Sequence, residues 1–272
     1  PSRHSPFEGA KGKAMLEEIV RYKVEETRQR ARMLPKAQLD LRLALARPVR
    51  DFAAALSASG TGLIAEVKYR SPSKGILRVD FEPLALARAY QAGGADAISV
   101  LADSRFFGGG PFVVAQVARD DQLCLPVMYK DFVVDDWQVV EARALGADAV
   151  LLIARIVPPD DLRRLVASVH ALGMTALVET FDEDDVRAAV DSGARVIGIN
   201  NRDLNTFETD FNRAARMRKL LPEGVIAVSE SGITGPKDMA TIGSLGFDAA
   251  LVGEAVVSAP SPERAVAQLK GR

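Results

Sequence analysis

Cysteine and histidine are nearly absent from this chain. Of its 272 residues one is cysteine, Cys124, and two are histidine, His4 and His170. A single thiol excludes an internal disulfide framework and suits a reducing compartment. So few nitrogen and sulfur donors leave no ordinary zinc site to assemble, and no metal is expected. A histidine-centred triad is disfavoured as well, with His4 at a chain end and His170 inside a helical pattern. Acid–base chemistry therefore falls to Lys, Asp and Glu. An excess of one charge is also missing: 35 Lys+Arg stand against 36 Asp+Glu, a net charge of -1. That balance gives no electrostatic footprint for nucleic acid or an anionic membrane. No apolar run approaches the roughly 18 residues of a membrane span. The start, Pro1-Ser2-Arg3-His4-Ser5-Pro6, lacks the apolar stretch of a secretory signal. A cytoplasmic protein without nucleic-acid or membrane partners is the expectation.

What is present is globular in texture, with 48% apolar and 26% charged residues. The length admits one or two domains, although barrels of about 200–250 residues are commonly single. A core of this size needs no disulfide or metal staple. Residues 12–32 read as a helix, with Met15, Leu16, Ile19 and Val20 at helical spacing and Pro35 as its stop. A second short helix is expected over about 48–58, carrying Phe52, Ala55 and Leu56, before Gly60-Thr61-Gly62 breaks the chain. The expected organisation is a helical extension over 1–60 and a main body over 61–272, together one domain.

From residue 63 short apolar runs alternate with amphipathic segments. The runs are Leu63–Val67, Ala97–Leu101, Leu125–Met128, Ala149–Ile153, Ala176–Val178, Val196–Ile199, Val225–Val228 and Ala249–Val252. They do not alternate polar and apolar, which marks strands buried on both faces. Several share one announcement: Gly94-Ala95-Asp96-Ala97, Gly146-Ala147-Asp148-Ala149, Gly193-Ala194-Arg195-Val196 and Gly246-Phe247-Asp248-Ala249. The glycine caps a helix and the next strand follows. Eight such units predict a (β/α)8 barrel. The structural alternative, a doubly wound sheet, more often carries a glycine-rich fingerprint after its first strand, and none is here. Cys124, at the start of a run, reads as an inert core residue.

Barrel enzymes place their chemistry at the carboxyl ends of the strands. The residues closing the runs are Glu66 and Lys68, Asp103, Lys130 and Asp131, Arg155, Glu179, Asn200 to Arg202, Ser229 to Ser231, and Gly253 with Glu254. At any single position such a residue marks no more than a strand's exit into water. Glu66, however, sits between Ala65 and Val67, and alternation puts Lys68 on its face. Buried charge is costly alone and needs partners. With Lys130 and Glu179 this makes a quartet of two cations and two anions at one barrel mouth. Ser231-Gly232 and Gly253-Glu254 place glycine turns after the seventh and eighth runs, a common phosphate cradle in this fold; plain turn glycines are the alternative.

These segments resemble the indole-3-glycerol phosphate synthase family. The resemblance is carried by Ile64-Ala65-Glu66-Val67-Lys68 with Ser71-Pro72-Ser73-Lys74-Gly75, by Phe106-Phe107-Gly108-Gly109, and by Pro126 through Lys130-Asp131-Phe132. It continues through Leu177-Val178-Glu179, Gly198-Ile199-Asn200-Asn201-Arg202-Asp203-Leu204, Ser229-Glu230-Ser231-Gly232-Ile233 and Val252-Gly253-Glu254, in order over almost the whole chain. Leu16, Ile19, Val20 and Lys23 look like the family's N-terminal extension. The resemblance implies a cofactor-free ring closure of 1-(2-carboxyphenylamino)-1-deoxyribulose 5-phosphate to indole-3-glycerol phosphate, releasing CO2 and water. It implies Lys130 as general acid and Glu179 as the acid/base of dehydration. Lys68 shares that work or reaches the phosphate, and the division between the two lysines stays open. Glu66 would orient the lysines, and Asn200 would bond the sugar hydroxyls or developing oxyanion. Ser71 and Pro72 would hold the anthranilate carboxylate, Phe107 and Phe132 the ring, and Ser231, Gly232, Gly253 and Glu254 the phosphate, through backbone amides with the Glu254 carboxylate turned away. Core packing is the other reading for both phenylalanines. Arg202 and Glu230 read as scaffold ion-pair residues.

Some positions depart from the pattern. Ala102 stands where the family often has Thr, Gly110 where Ser is common, and Val256-Val257 where Leu-Met is usual. None removes a catalytic candidate. Two other functions fit a phosphate-binding barrel: the isomerisation of a phosphoribosylanthranilate, and non-catalytic binding of a phosphorylated ligand or a partner protein. The first would more naturally use a Cys/Asp or Asp/Asp pair, and the second would retain costly charge without use. A monomer is expected, with a dimer as the alternative. Mutual repulsion should lower the pKa values of Lys68 and Lys130, against the pull of Glu66 and Glu179.

Overall fold

The computed structural model describes residues 8–58, 60–202 and 209–272. Eight parallel strands form its centre: β1 (Gly62–Val67), β2 (Ala97–Leu101), β3 (Val127–Lys130), β4 (Ala149–Ile153), β5 (Thr175–Thr180), β6 (Val196–Asn200), β7 (Ile226–Glu230) and β8 (Ala249–Val252). Each pairs with the next in sequence. β8 returns to β1, with Val252 opposite Ala65, and closes the cylinder. Helices α4 (Pro83–Gly93), α5 (Pro111–Ala118), α6 (Asp136–Leu145), α7 (Pro159–Ala171), α8 (Glu183–Asp191), α9 (Phe211–Arg218), α10 (Pro236–Ser244), α11 (Glu254–Val257) and α12 (Pro262–Leu269) occupy the intervals and the end. The fold is a (β/α)8 TIM barrel preceded by a helix, α1 (Glu8–Met33). No described helix is long and apolar enough to cross a membrane.

Strand alternation sorts the side chains into two cores. Leu63, Ala65, Val67, Ile98, Val100, Val127 and Tyr129 point outward under the helices. Ile64, Ala97, Met128, Ala149, Leu151, Leu177, Val196, Val228 and Ala249 fill the barrel. The amino-terminal mouth is shut by α3 (Phe52–Leu56), whose Phe52 and Leu56 are fully buried in the inner core. Asp51 caps this short helix by accepting from Ala54 N at 2.9 Å. A Cβ on Gly62 would lie 2.8 Å from Leu56 O, so the first residue of β1 must be bare to let α3 in.

Three strands coincide with their apolar runs. Three of the others run further than their apolar runs because a reading of apolarity stops short of a charge, whereas the backbone ladder does not. Lys130, Glu179 and Glu230 are strand residues. β3 also starts two residues later than the run at 125–128. Cys124 is a correction. It is exposed in the turn before β3, where its N–H donates to Gln91 Oε1, and buried Leu123 takes the core position instead. A further helix, α2 (Lys36–Leu43), was not expected. Pro35 is its N-cap as well as the stop for α1. α2 buries only Leu39, against Trp137 and Ala144 of α6, so its periodicity is faint.

The repeated Gly-x-Asp turns have a bonding reason. Gly94 and Gly146 cap their helices at φ 91° and 104°, in the left-handed region open to glycine. The aspartate then accepts a backbone N–H from the strand next door: Asp96 from Leu63, Asp148 from Val127, Asp248 from Ala227. Asp148 is fully buried and also accepts from Arg47 Nη2 at 2.6 Å and Arg50 N at 2.8 Å, which ties the segment before α3 to the barrel floor. Removing one member of a buried charged set leaves the other without a partner and costs about 3–5 kcal/mol. Asp148→Ala should lower stability by about that amount in equilibrium denaturant unfolding. A loss under about 1 kcal/mol would put this pair among weak, screened surface contacts instead.

Candidate active site

At the carboxyl end the barrel interior changes from apolar to charged. The inward positions above Ile64, Ala97, Met128, Leu177 and Val228 are Glu66, Ser99, Lys130, Glu179 and Glu230, each two residues further along its strand. Glu66 Oε1 pairs with Lys68 Nζ at 2.6 Å, and Glu66 Oε2 lies 3.6 Å from Lys130 Nζ. Ser99 Oγ donates to Glu66 Oε2 at 3.3 Å. Lys130 Nζ also faces Glu230 Oε2 at 3.5 Å. Asn200 Nδ2 donates to Glu179 Oε1 at 2.6 Å, while Asn200 Oδ1 accepts from Arg202 N at 3.0 Å. The four charged residues singled out in the sequence thus gather at one opening, with Asn200 as the clamp on Glu179.

The electrostatics follow from three carboxylates around two ammonium groups. Burial alone would push Glu66 up, but Lys68 and Lys130 hold it below the usual carboxylate range. Burial alone would push Lys130 down, but Glu66, Glu230 and Glu179 hold it above the ordinary lysine value. The expected lowering at Lys130 is therefore corrected: carboxylates outnumber the neighbouring ammonium. Glu230, read from sequence as scaffold, belongs to the same layer. Burial, then the Glu179 and Glu66 charges, push it up to about 8, against the pull of Lys130. Its Oε1 is buried without a hydrogen-bond partner among the described residues. A Cβ on Gly198 would overlap that oxygen, so the bare position in β6 is what admits the side chain. The sequence signal was available: Glu230 shares the parity of inward Val228.

Phe107 and Phe132 face one another at a centroid distance of 6.1 Å, tilted by 35°. Phe132 also packs on the inner core, as its packing reading has it. Ser71 and Pro72 lie in a short antiparallel turn, Arg70–Ser71 against Gly75–Ile76, where Ser71 Oγ accepts from Lys74 N at 3.2 Å. After β7, Ser231 is the one non-glycine described residue at positive φ, 70°, and Gly232 follows at 78°. A Cβ on Gly232 would overlap Thr209. Asn201 Nδ2 braces this turn through Ser229 Oγ at 2.9 Å and Ser231 O at 2.7 Å. After β8, a Cβ on Gly253 would sit 2.7 Å from Glu66 Oε1 and 2.9 Å from Lys68 Nζ, so this glycine gives the Glu66–Lys68 pair its room. Glu254 reaches across the mouth to pair with Lys74.

Comparison with known proteins is consistent along the chain. The family model described as "Indole-3-glycerol phosphate synthase" matches residues 16–269. An indole-3-glycerol phosphate synthase of Roseiflexus sp. strain RS-1 is 48% identical over 265 residues, covering 94% of this chain and 98% of that protein. One of Streptomyces coelicolor is 47% identical over 248 residues, covering 90% and 95%. Among solved structures, a thiamine phosphate pyrophosphorylase from Pyrococcus furiosus aligns with a TM-score of 0.58 at 16% identity, over 77% of this chain and 94% of that one. At that identity it shares the fold alone.

The raised Glu230 pKa has a signed consequence for stability. In the unfolded chain this carboxyl would titrate near 4.5, in the folded chain at about 8. Folding therefore retains a proton that the unfolded chain releases, and the stabilisation present below the lower value is lost as pH rises through the upper one. Glu230→Gln removes that loss. The variant should gain stability relative to wild type between about pH 5 and about pH 9 in paired denaturation midpoints. A difference that stays flat with pH would show Glu230 to be ionised throughout.

Proposed function

The chain belongs to the indole-3-glycerol phosphate synthase family, lyases of tryptophan biosynthesis, and on that premise we propose how its own residues carry the reaction. The substrate is 1-(2-carboxyphenylamino)-1-deoxyribulose 5-phosphate. The ring carbon that bears the carboxylate attacks the ribulose carbonyl, and negative charge gathers on the carbonyl oxygen. A fixed ammonium that hands over a proton there lowers the barrier. Lys130 is assigned this role, because its carboxylate neighbours keep it charged at neutral pH and hold it at the strand end. That single observation carries the reading.

Loss of CO2 then restores aromaticity to the ring, and loss of the hydroxyl as water with a ring proton completes the pyrrole. Glu179 is assigned the proton transfers of this dehydration. Asn200 orients its carboxylate. Lys68 lies between Glu66 and the turn at Gly253, and serves as a second proton donor or as a phosphate contact. Glu66 is the orienting anion for both lysines. Phe107 and Phe132 hold the aromatic ring and press it toward the carbonyl. Ser71 and Pro72 take the anthranilate carboxylate. Backbone amides at Ser231, Gly232, Gly253 and Glu254 take the phosphate, and the pairing of Glu254 with Lys74 supports a carboxylate drawn away from it. The reading needs no cofactor. It places the protein in the cytoplasm as a monomer, with a phosphorylated small molecule as its ligand.

Indole fluorescence on mixing with this substrate tests the proposal. Wild type should turn over, and Lys130→Ala should lower kcat by at least about 10²-fold, the usual scale of a general acid. Near-intact turnover in that variant would reassign the acid. No indole from wild type, with either isomerised product or binding alone, would select one of the two rival functions.

A further inference from the structure

A second buried charge cluster lies outside the layer described above. Lys23, in the middle of α1, is fully buried, as is Asp103, and Asp131 is nearly so. Lys23 Nζ lies 2.9 Å from Asp131 Oδ1, 3.0 Å from Asp103 Oδ2 and 2.6 Å from Glu26 Oε2. Each barrel aspartate has a second task. Asp103 Oδ1 accepts from Phe106 N at 2.6 Å and Phe107 N at 3.0 Å. Asp131 Oδ1 accepts from Phe132 N at 2.9 Å, and Asp131 Oδ2 accepts from the Tyr129 hydroxyl at 3.1 Å. The two carboxylates thus fix the backbone from which Phe107 and Phe132 project, and one ammonium joins them. α1 grips the first of these loops a second time: Tyr22 meets the Phe106 ring edge-on at 5.7 Å, and the Arg105 guanidinium lies 4.5 Å from the Tyr22 ring centre.

We propose that Lys23 is a positioning residue of the active site, which sets the separation of the Phe107 and Phe132 rings by holding Asp103 and Asp131 to one point. The ion pairs bridge the ends of β2 and β3, and the rings meet 6.1 Å apart above them. Two carboxylates this close repel unless a cation lies between them. Without the ammonium, β2 and β3 still pair, but the loops beyond them lose their common anchor. The fault then appears in ring binding before it appears in proton transfer. This inference rests on the reading of the Phe107–Phe132 slot as the seat of the aromatic ring.

Steady-state kinetics on the full chain test it in a double-mutant cycle. Lys23→Met should raise KM by about tenfold while kcat stays within about threefold, the split expected when binding is lost without transition-state contacts. Phe107→Ala should raise KM by itself. In that background Lys23→Met should add almost nothing, because residues acting through one contact are not additive. A folded Lys23→Met enzyme with wild-type KM, or one whose effect multiplies in full with that of Phe107→Ala, overturns the proposal. If Lys23→Met does not fold, Asp103→Asn replaces it. The amide oxygen still accepts from Phe106 and Phe107, while the ion pair to Lys23 is lost, so a rise in KM of about threefold is expected, again absent beside Phe107→Ala. No change in KM, or an independent one, overturns the proposal by that route. A Phe107→Ala enzyme with unchanged KM would instead remove the slot reading itself.

Discussion

Two ammonium groups held among three buried carboxylates constrain everything else in this molecule. Charge placed in an apolar interior is paired or it is destabilising. In this protein Glu66, Glu179 and Glu230 project into the same end of the barrel as Lys68 and Lys130. The rest of the fold reads as the provision for that layer. Below it the barrel is packed with aliphatic side chains and stopped by Phe52 and Leu56. Two positions are bare so that the charged side chains have room, Gly198 in β6 beside Glu230 and Gly253 just after β8 beside Glu66 and Lys68. The polar groups closing the arrangement, Ser99 and Asn200, each sit on a neighbouring strand.

The layer has one more anion than cation, and the consequence falls on the group with the poorest solvation. Glu66 is pulled down because both lysines face it. Glu230 is pushed up first by its burial, then by the charges of Glu179 and Glu66, with only Lys130 to oppose them. A proton retained on Glu230 brings the layer to balance and leaves Glu66 and Glu179 as the anions that hold the Lys130 ammonium. An anionic substrate would strengthen that tendency, since added negative charge raises carboxyl pKa values further. The layer therefore has two proton-bearing groups of opposite type within 3.5 Å of each other.

The barrel was legible in the chain because its strands are buried on both faces, which leaves eight apolar runs too regular to miss. Glu66 was legible because a charge inside such a run, between Ala65 and Val67, is an exception to that pattern, and Lys68, Lys130 and Glu179 because they close their runs on the side where a barrel keeps its chemistry. Glu230 was passed over because it ends its run, where a polar residue is ordinary, and only the inward parity shared with Val228 separates it from a surface residue. α2 was missed because a helix with one buried side chain leaves almost no periodic trace. The shift at Lys130 was misjudged because two lysines were counted against two glutamates, when the neighbourhood holds three.

Lys23 marks the limit of reading along the chain, and the reason is geometric. On α1 it is one charge among many, and although it stands four residues beyond buried Ile19, nothing along the chain names its partners. Its partners are 80 and 108 residues further on, at the ends of two adjacent strands, where each aspartate could equally have capped its own loop and nothing more. Only closure of the barrel makes β2 and β3 neighbours and brings their terminal carboxylates close enough to need a cation. The helix that supplies it has to lie across that end of the barrel. Charge balance in this pocket therefore couples the placement of α1 to the geometry of the catalytic mouth.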